Sequence, residues 1–476
     1  MTEPARPEPE FHYQQGLAVL RHVAEPDAPA WMRFDPRIDA YVASGHRLPE
    51  LRDWALEHGV RERDADADPP AAPFFDTREP REYQRDALLR WMAGDCRGSV
   101  VLPTGAGKTL VALLAIRESP RGACVIVPTR ALVTQWFDQL ADAFGAARVG
   151  VFYSDEKDVR PVTVTTYHSA FTLLERYGAR FDLLVLDEVH HLADAADGAG
   201  SGRHDALRIA PASRRLGLTA TYPDGRDDVL RQLVGPIVYR RTIGEMSDRE
   251  LARFAVERRF VRLADDERGR YDALTVTYES FVSAQRYAER FPEPADAWRV
   301  FMAETRRSPS ARLAFRAYLD RERLVAASRN KLRETGRILR LYPAERAIIF
   351  VGTSDAAELV AREFAIPVIG ANTPASERRA LLQRIQAGSI RAVVSVRVLD
   401  EGWDVPAAKV GIVLSDSTRG GRRQHAQRLG RILRRQGDAV ASLYELVAAG
   451  THEFFASQKR GAGIRERNAE QIGFGI

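Results

Sequence analysis

Two sets of short apolar runs dominate the chain, each run followed by a turn and a polar-faced helical stretch. Val100–Leu102, Cys124–Pro128, Val162–Thr166, Leu183–Leu186 and Leu216–Thr221 form the first set. Ala347–Val351, Ile366–Ile369, Ala392–Val396, Val410–Leu414 and Ser442–Val447 form the second. A strand that is apolar on both faces must be covered on both faces, and alternating helices supply the cover. Each set therefore predicts a parallel sheet between helical layers. Two sets predict two α/β domains in tandem, which suits 476 residues, too many for one core.

Between the sets the strand signal fades into charged helical stretches carrying Phe281, Tyr287, Trp298, Phe301, Phe315 and Tyr318. Most of these aromatics are expected to be the core stripe of amphipathic helices. Ahead of the first set, the acidic stretch Asp64–Asp68 and the Pro- and Ala-rich stretch Pro69–Pro73 read as a linker. The expected organisation is an N-terminal module and linker over 1–70, a first α/β domain over 71–242 and a connector with a helical insert over 243–340. A second α/β domain over 341–456 and a flexible tail over 457–476 complete it.

Composition narrows the function classes. Cys96 and Cys124 are the only cysteines, too few for a disulfide framework or a four-thiolate cluster. No stretch reaches the ~18 apolar residues of a membrane span, and Met1–Glu10 lacks the order of a secretion signal. A cytoplasmic protein without a membrane partner is expected. The net charge of +5 and pI near 9.2 permit nucleic-acid binding without demonstrating it. Arginine supplies nearly all the positive charge, and lysine occurs only at 108, 157, 331, 409 and 459.

One of those lysines stands in a glycine-rich loop. Leu102-Pro103-Thr104-Gly105-Ala106-Gly107-Lys108-Thr109 follows an apolar run and opens a helical stretch, Leu110–Ile116. Glycines let main-chain N–H groups wrap a phosphate, and a helix N-terminus adds positive potential. Thr104, Gly105 and Gly107 shape such a cradle, Lys108 reaches the β- and γ-phosphates, and the Thr109 hydroxyl holds Mg²⁺. Leu102 replaces the first glycine of the general loop pattern. In sequence, 79 residues after Lys108, the run Leu183–Leu186 ends in Asp187-Glu188-Val189-His190. A strand's C-terminal end beside a phosphate loop is where a metal-holding acid belongs, so Asp187 is expected on Mg²⁺ and Glu188 on the attacking water. His190-His191 is a poor transition-metal pair, because adjacent side chains diverge; a coupling role for His190 fits better.

These segments resemble superfamily 2 helicases. Arg81-Glu82-Tyr83-Gln84 is similar to the adenine-reading Q motif, with Arg81 and Gln84 as nucleotide contacts. Pro128-Thr129-Arg130 resembles motif Ia, Asp187–His190 motif II and Thr219-Ala220-Thr221 motif III. Asp400–Pro406 resembles motif V and Gln427–Arg434 motif VI, which adds Gly402, Asp404 and Gln427 to the nucleotide set. More narrowly, Arg180–Leu184, Asp187–Leu192, Gln427–Arg434 and the stretch Phe34–Glu62 resemble compact prokaryotic XPB helicases of nucleotide-excision repair. The resemblance implies two RecA-like domains, a damage-recognition-like N-terminal module, a thumb-like insert, ATP with Mg²⁺, 3′-to-5′ polarity and a repair role. That family carries an Arg-Glu-Asp element after motif III, implicated in opening DNA. Here Thr221 runs into Tyr222-Pro223-Asp224-Gly225-Arg226-Asp227-Asp228, without Arg-Glu, which puts strand opening in doubt and leaves translocation untouched.

Arg431 and Arg434 lie three apart on an expected helix and so face one way. As fingers from the second domain on a γ-phosphate held by the first, they would make hydrolysis depend on domain closure. DNA, whether single-stranded, forked or duplex, is the expected partner of a chain working as a monomer, with a separate nuclease or repair protein as a further one. Residues 299–333 hold ten basic and three acidic side chains, and Arg306, Arg307, Arg312 and Arg316 are expected phosphate contacts. Thr129, Arg130, Thr165, His190, Thr219 and Thr221 are the remaining candidates for DNA contact or coupling. An RNA helicase, a restriction-system motor without its own nuclease and a non-catalytic scaffold stand as rival readings.

Overall fold

The computed structural model describes residues 8–24, 27–63, 73–193, 202–223, 227–242, 245–246, 254–291, 294–370, 373–396, 408–414 and 441–454. The chain divides into two units, Met1–Met246 and Ser247–Ile476.

The first unit begins with a small five-stranded sheet. In spatial order its strands are Arg33–Asp35, Ala40–Ser44, Leu17–Arg21, Glu10–Gln14 and Arg61–Glu62, antiparallel except for the last pair. One helix, Leu48–His58, lays Leu48, Leu51 and Ala55 against Phe11, Ala18 and Leu20 of the sheet. This module is docked on the following domain by close backbone approach. Tyr13 donates its hydroxyl to the Leu174 carbonyl at 2.7 Å, and the Gly16 N–H donates to Glu175 O at 3.2 Å. A Cβ on Gly45 would sit 2.4 Å from Ile209 O, and one on Gly178 would sit 2.8 Å from the Tyr13 hydroxyl. Glycine is required there for contact, because neither backbone oxygen nor buried ring can yield cheaply.

The larger sheet of this unit has eight strands in the order Ile237–Arg240, Arg97–Val101, Arg214–Thr219, Phe181–Asp187, Gly122–Val127, Val162–Thr166, Val149–Tyr153 and Glu156–Lys157. All its pairs are parallel except the last. Every residue of Gly122–Val127 and Val162–Thr166 is buried, the second strand including Thr163, Thr165 and Thr166. Helices Lys108–Arg117, Arg130–Phe144 and Ala170–Tyr177 connect strands, and the first is buried from Leu110 through Ile116. Arg215 is also buried, and it donates to the carbonyls of Leu207 at 2.8 Å and Ala210 at 3.3 Å, and to that of Leu233. It thereby satisfies orphan carbonyls at the ends of helices Gly202–Ile209 and Asp227–Leu233. Burial pulls its guanidinium down to about 9.

The second unit carries a six-stranded parallel sheet in the order Phe254–Val261, Ala441–Ala448, Val410–Val413, Ala347–Val351, Ala392–Val396 and Val368–Ile369. Phe254–Val261 corrects the expectation of a strand-free connector. Its centre, Glu257-Arg258-Arg259, is charged because it lies on the sheet edge, where Arg258 pairs with Glu445 at 2.7 Å. Four helices follow in the insert: Asp265–Ala284, Tyr287–Arg290, Pro294–Glu304 and Pro309–Ala326. Tyr287 and Phe301 are buried, with Phe281, Trp298 and Phe315 packed on them, so these aromatics form a core. Tyr318 joins it edge-on to Trp298 at 5.2 Å. Arg306, Arg307, Arg312 and Arg316 all stand exposed on this insert. Among the described residues, no helix is long and apolar enough to cross a membrane.

Candidate nucleotide-binding site

The site is built at the C-terminal ends of the eight-stranded sheet, where parallel α/β sheets leave a crevice. Strand Arg97–Val101 runs into the glycine loop, and Gly105 and Gly107 both take left-handed backbone, φ 85° and 74°. A Cβ on Gly107 would fall 2.5 Å from the Gln84 amide nitrogen, so this position needs glycine on two counts. Lys108 and Thr109 open the helix, and the Lys108 ammonium donates to Leu102 O at 3.2 Å.

Two residues ahead of the strand brace the loop from behind. The Tyr83 hydroxyl donates to Ala106 O at 2.8 Å, and the Gln84 amide donates to the same carbonyl at 2.9 Å. The other end of that amide accepts from the Arg81 N–H at 2.9 Å, and Gln84 is only 4% exposed. Gln84 thus spends its side chain on the backbone of the loop and of its own helix, Glu82–Ala93, in this structure. Arg81 is exposed and donates to the Tyr83 hydroxyl at 3.3 Å.

Asp187 ends strand Phe181–Asp187. Its Oδ1 accepts from the Glu188 N–H at 3.0 Å and its Oδ2 from the Trp136 indole at 2.8 Å. Burial and the adjacent Glu188 carboxylate push Asp187 up to about 6, against the pull of the Trp136 hydrogen bond and Lys108. A cation in the crevice would relieve both penalties. Glu188 is held at φ 48°, a left-handed conformation that costs a non-glycine residue energy and marks strain at a turn built to aim a side chain. One of its carboxylate oxygens lies 3.3 Å from His190 Nδ1.

His190 is 2% exposed, and its Nδ1 is 2.9 Å from Thr219 Oγ1. The Thr219 hydroxyl already donates to Thr221 O at 2.7 Å, so His190 must donate, which places the proton on Nδ1. The Asp-Glu-Val-His turn and strand Arg214–Thr219 are thereby joined.

Other candidates fall into four groups. The donor set of Thr109 and Asp187 is all hard oxygen, which fits Mg²⁺, and the Thr104 hydroxyl, buried with no partner, sits in the same loop. Thr129 caps helix Arg130–Phe144, accepting from Leu132 N–H at 3.4 Å, with Arg130 exposed beside it. For Thr165 direct DNA contact is corrected: fully buried, it donates to Phe152 O at 2.6 Å between two strands and has no surface for DNA, which leaves only the coupling half of that expectation. Gly402, Asp404, Gln427, Arg431 and Arg434 lie outside the described residues. Sequence reasoning missed Trp136 as a carboxylate partner and Tyr83 as a loop brace. Tyr83 stands inside a recognised motif, which was the available signal.

Comparison with known proteins gives the family and the fold. Residues 77–224 match the family model for the Type III restriction enzyme res subunit, and residues 314–466 match that for the ERCC3/RAD25/XPB C-terminal helicase. The chain is 33% identical to the DNA 3′-5′ translocase XPB2 of Sulfurisphaera tokodaii over 432 residues, 90% of this chain and 95% of that protein. It belongs to the XPB family of helicases. It is also 29% identical to the DNA 3′-5′ helicase XPB of Mycobacterium tuberculosis, covering 81% of this chain and 65% of that longer protein. Among solved structures, the Pyrococcus furiosus Hef helicase domain superposes with a TM-score of 0.55 at 17% identity, over 80% of this chain and 97% of that one. The two parallel sheets of this XPB-family chain are RecA-like domains in tandem, the superfamily 2 helicase architecture.

Proposed function

We propose that the strand-end site of the first unit binds ATP with Mg²⁺ and that its hydrolysis drives the chain along DNA with 3′-to-5′ polarity, in DNA repair. Family membership makes the chain an ATP-hydrolysing DNA helicase or translocase. The observation that carries the site assignment is the convergence on one sheet edge of a glycine cradle, a lysine and two adjacent acids, with Asp187 raised to about 6.

Lys108 and the loop N–H groups hold the phosphates, and Thr109 with Asp187 holds Mg²⁺. Glu188, fixed at the strained turn, accepts a proton from the attacking water. The metal, once bound, neutralises charge on the transferring phosphoryl group. His190 reads the state of Glu188 and passes it to Thr219 through the Nδ1 proton. Arg431 and Arg434 supply finger charge, and Gly402, Asp404 and Gln427 complete the nucleotide contacts. The exposed arginines of the insert and Arg130 meet the phosphate backbone without reading sequence. Domain limits near 71–242 for the first domain, and near 341–456 together with strand Phe254–Val261 for the second, suit this division of labour. Because Arg-Glu is missing after Thr221, we assign translocation to the chain itself and expect unaided unwinding to be weak, with a separate nuclease or repair protein supplying the wedge.

The test is ATP hydrolysis measured side by side with single-stranded DNA, forked duplex, blunt duplex and RNA. DNA should stimulate strongly and RNA little; equal stimulation by RNA would make the chain an RNA motor.

A further inference from the structure

We infer that Trp136 is a positioning residue for the metal-holding carboxylate: its indole N–H fixes the Asp187 side chain and ties it to the helix that begins at Arg130. This rests on the reading of Asp187 as a Mg²⁺ ligand.

Trp136 is 2% exposed, and its single polar atom lies 2.8 Å from Asp187 Oδ2. An indole donates and never accepts, so the contact has one sense and holds the carboxylate in its charged form. With Oδ1 taken by the Glu188 N–H at 3.0 Å, both carboxylate oxygens are pinned and only their remaining lone pairs face outward. The residue's main chain is gripped as well: the Tyr167 hydroxyl donates to Asp187 O at 3.1 Å, and burial keeps that phenol protonated far above neutrality. Two aromatic donors therefore immobilise one aspartate, from the side and from behind.

The helix that carries Trp136 gives the contact its direction. Helix Arg130–Phe144 is capped by Thr129, and Arg130 stands exposed at its first turn. Thr129, Val133 and Trp136 recur at spacings of four and three, so they share one face. A pull on the Thr129–Arg130 end by a phosphate backbone would reach Asp187 through the indole without passing through the glycine loop. A ligand's outer partner of this kind typically changes metal affinity by about 10–100-fold when removed.

The test uses the full chain and isothermal titration of ADP with and without Mg²⁺. Trp136→Phe keeps an aromatic six-membered ring and removes the donor. Its metal-free ADP affinity should match wild type, whereas the gain in affinity conferred by Mg²⁺ should fall roughly tenfold. DNA stimulation of kcat should fall with it, and the KM for ATP in the presence of Mg²⁺ should rise as that gain is lost. A Mg²⁺ gain equal to wild type overturns the inference, and so does equal weakening with and without metal, which would mean packing alone. Asp187→Asn separates the two levels. If it retains the full Mg²⁺ gain, the metal-site reading itself fails; if it loses the gain while Trp136→Phe keeps it, only the role of Trp136 fails. Should Trp136→Phe not fold, the wild-type indole N–H resonance of Trp136 decides. It should shift when Mg²⁺ is added to the ADP complex, and an unmoved resonance overturns the inference.

Discussion

The C-terminal edges of the two parallel sheets each carry a lysine and a carboxylate, and they treat them differently. In the first unit Lys108 and Asp187 stand at a crevice: Lys108 leans on the Leu102 carbonyl, and the Asp187 carboxylate accepts from the Trp136 indole and the Glu188 N–H and sits raised to about 6. In the second unit Lys331 is fully buried, its ammonium 2.6 Å from Glu453 Oε2 and donating also to the Leu414 carbonyl. Glu453 in turn accepts from the Ala448 N–H at 3.1 Å, so this pair staples the exits of strands Val410–Val413 and Ala441–Ala448. One edge keeps charge in wait for a ligand, and the other has spent it internally. Among the described residues, the glycine cradle with its lysine and two adjacent acids stands in the first unit.

The largest effect tests the open edge. Lys108→Ala and Glu188→Gln should drop DNA-stimulated hydrolysis to background while the thermal unfolding midpoint stays near wild type. Glu188→Gln should still bind ATP, and Lys108→Ala should bind it weakly; near-wild-type hydrolysis in both would mean the edge is misassigned. Arg431→Ala and Arg434→Ala sharpen the comparison. Each should cut turnover by about 10³ or more and affect ATP binding far less, as expected of groups acting in the transition state. A variant that loses nucleotide affinity and keeps its maximal rate would return that arginine to ground-state binding.

The closed edge predicts a stability effect instead. Lys331→Met leaves the half-buried Glu453 without its cation and should cost up to about 3 kcal/mol in denaturant unfolding, most of it recovered in Lys331→Met/Glu453→Leu. If Lys331→Met unfolds like wild type but loses ATPase, the edge is not closed. The smallest effect concerns the insert. Neutralising Arg306, Arg307, Arg312 and Arg316 together should flatten the salt dependence of DNA binding by up to about 3–4 in log–log slope and leave basal ATPase intact. An unchanged slope would remove these residues from the DNA track.

What was legible in the sequence is what depends on local spacing. The glycine loop and the Asp187–His190 turn each pack their chemistry into a few consecutive residues at a strand end, so motif and geometry coincide. The two parallel sheets were legible because doubly covered strands have to be apolar throughout. Strand Phe254–Val261 was not, since an edge strand tolerates charge and its arginines pair far along the chain with Glu445 and Glu334. Gly16, Gly45 and Gly178 gave no signal as isolated glycines; their need arises from a docking contact such as Tyr13 to Leu174, across 161 residues. Trp136 reaches Asp187 across 51 residues, and only the fold brings them together. Thr165 misled because a residue's place at a strand end does not say which way its hydroxyl turns.

As proposed, hydrolysis at the first unit's site is converted into movement along DNA. Displacement of a third strand from a DNA triplex by the isolated chain measures that directly. The wild-type chain should release the third strand only with ATP and Mg²⁺, at a rate tracking its DNA-stimulated hydrolysis, and Glu188→Gln should release none. Robust DNA-stimulated hydrolysis with no third-strand release would contradict the account.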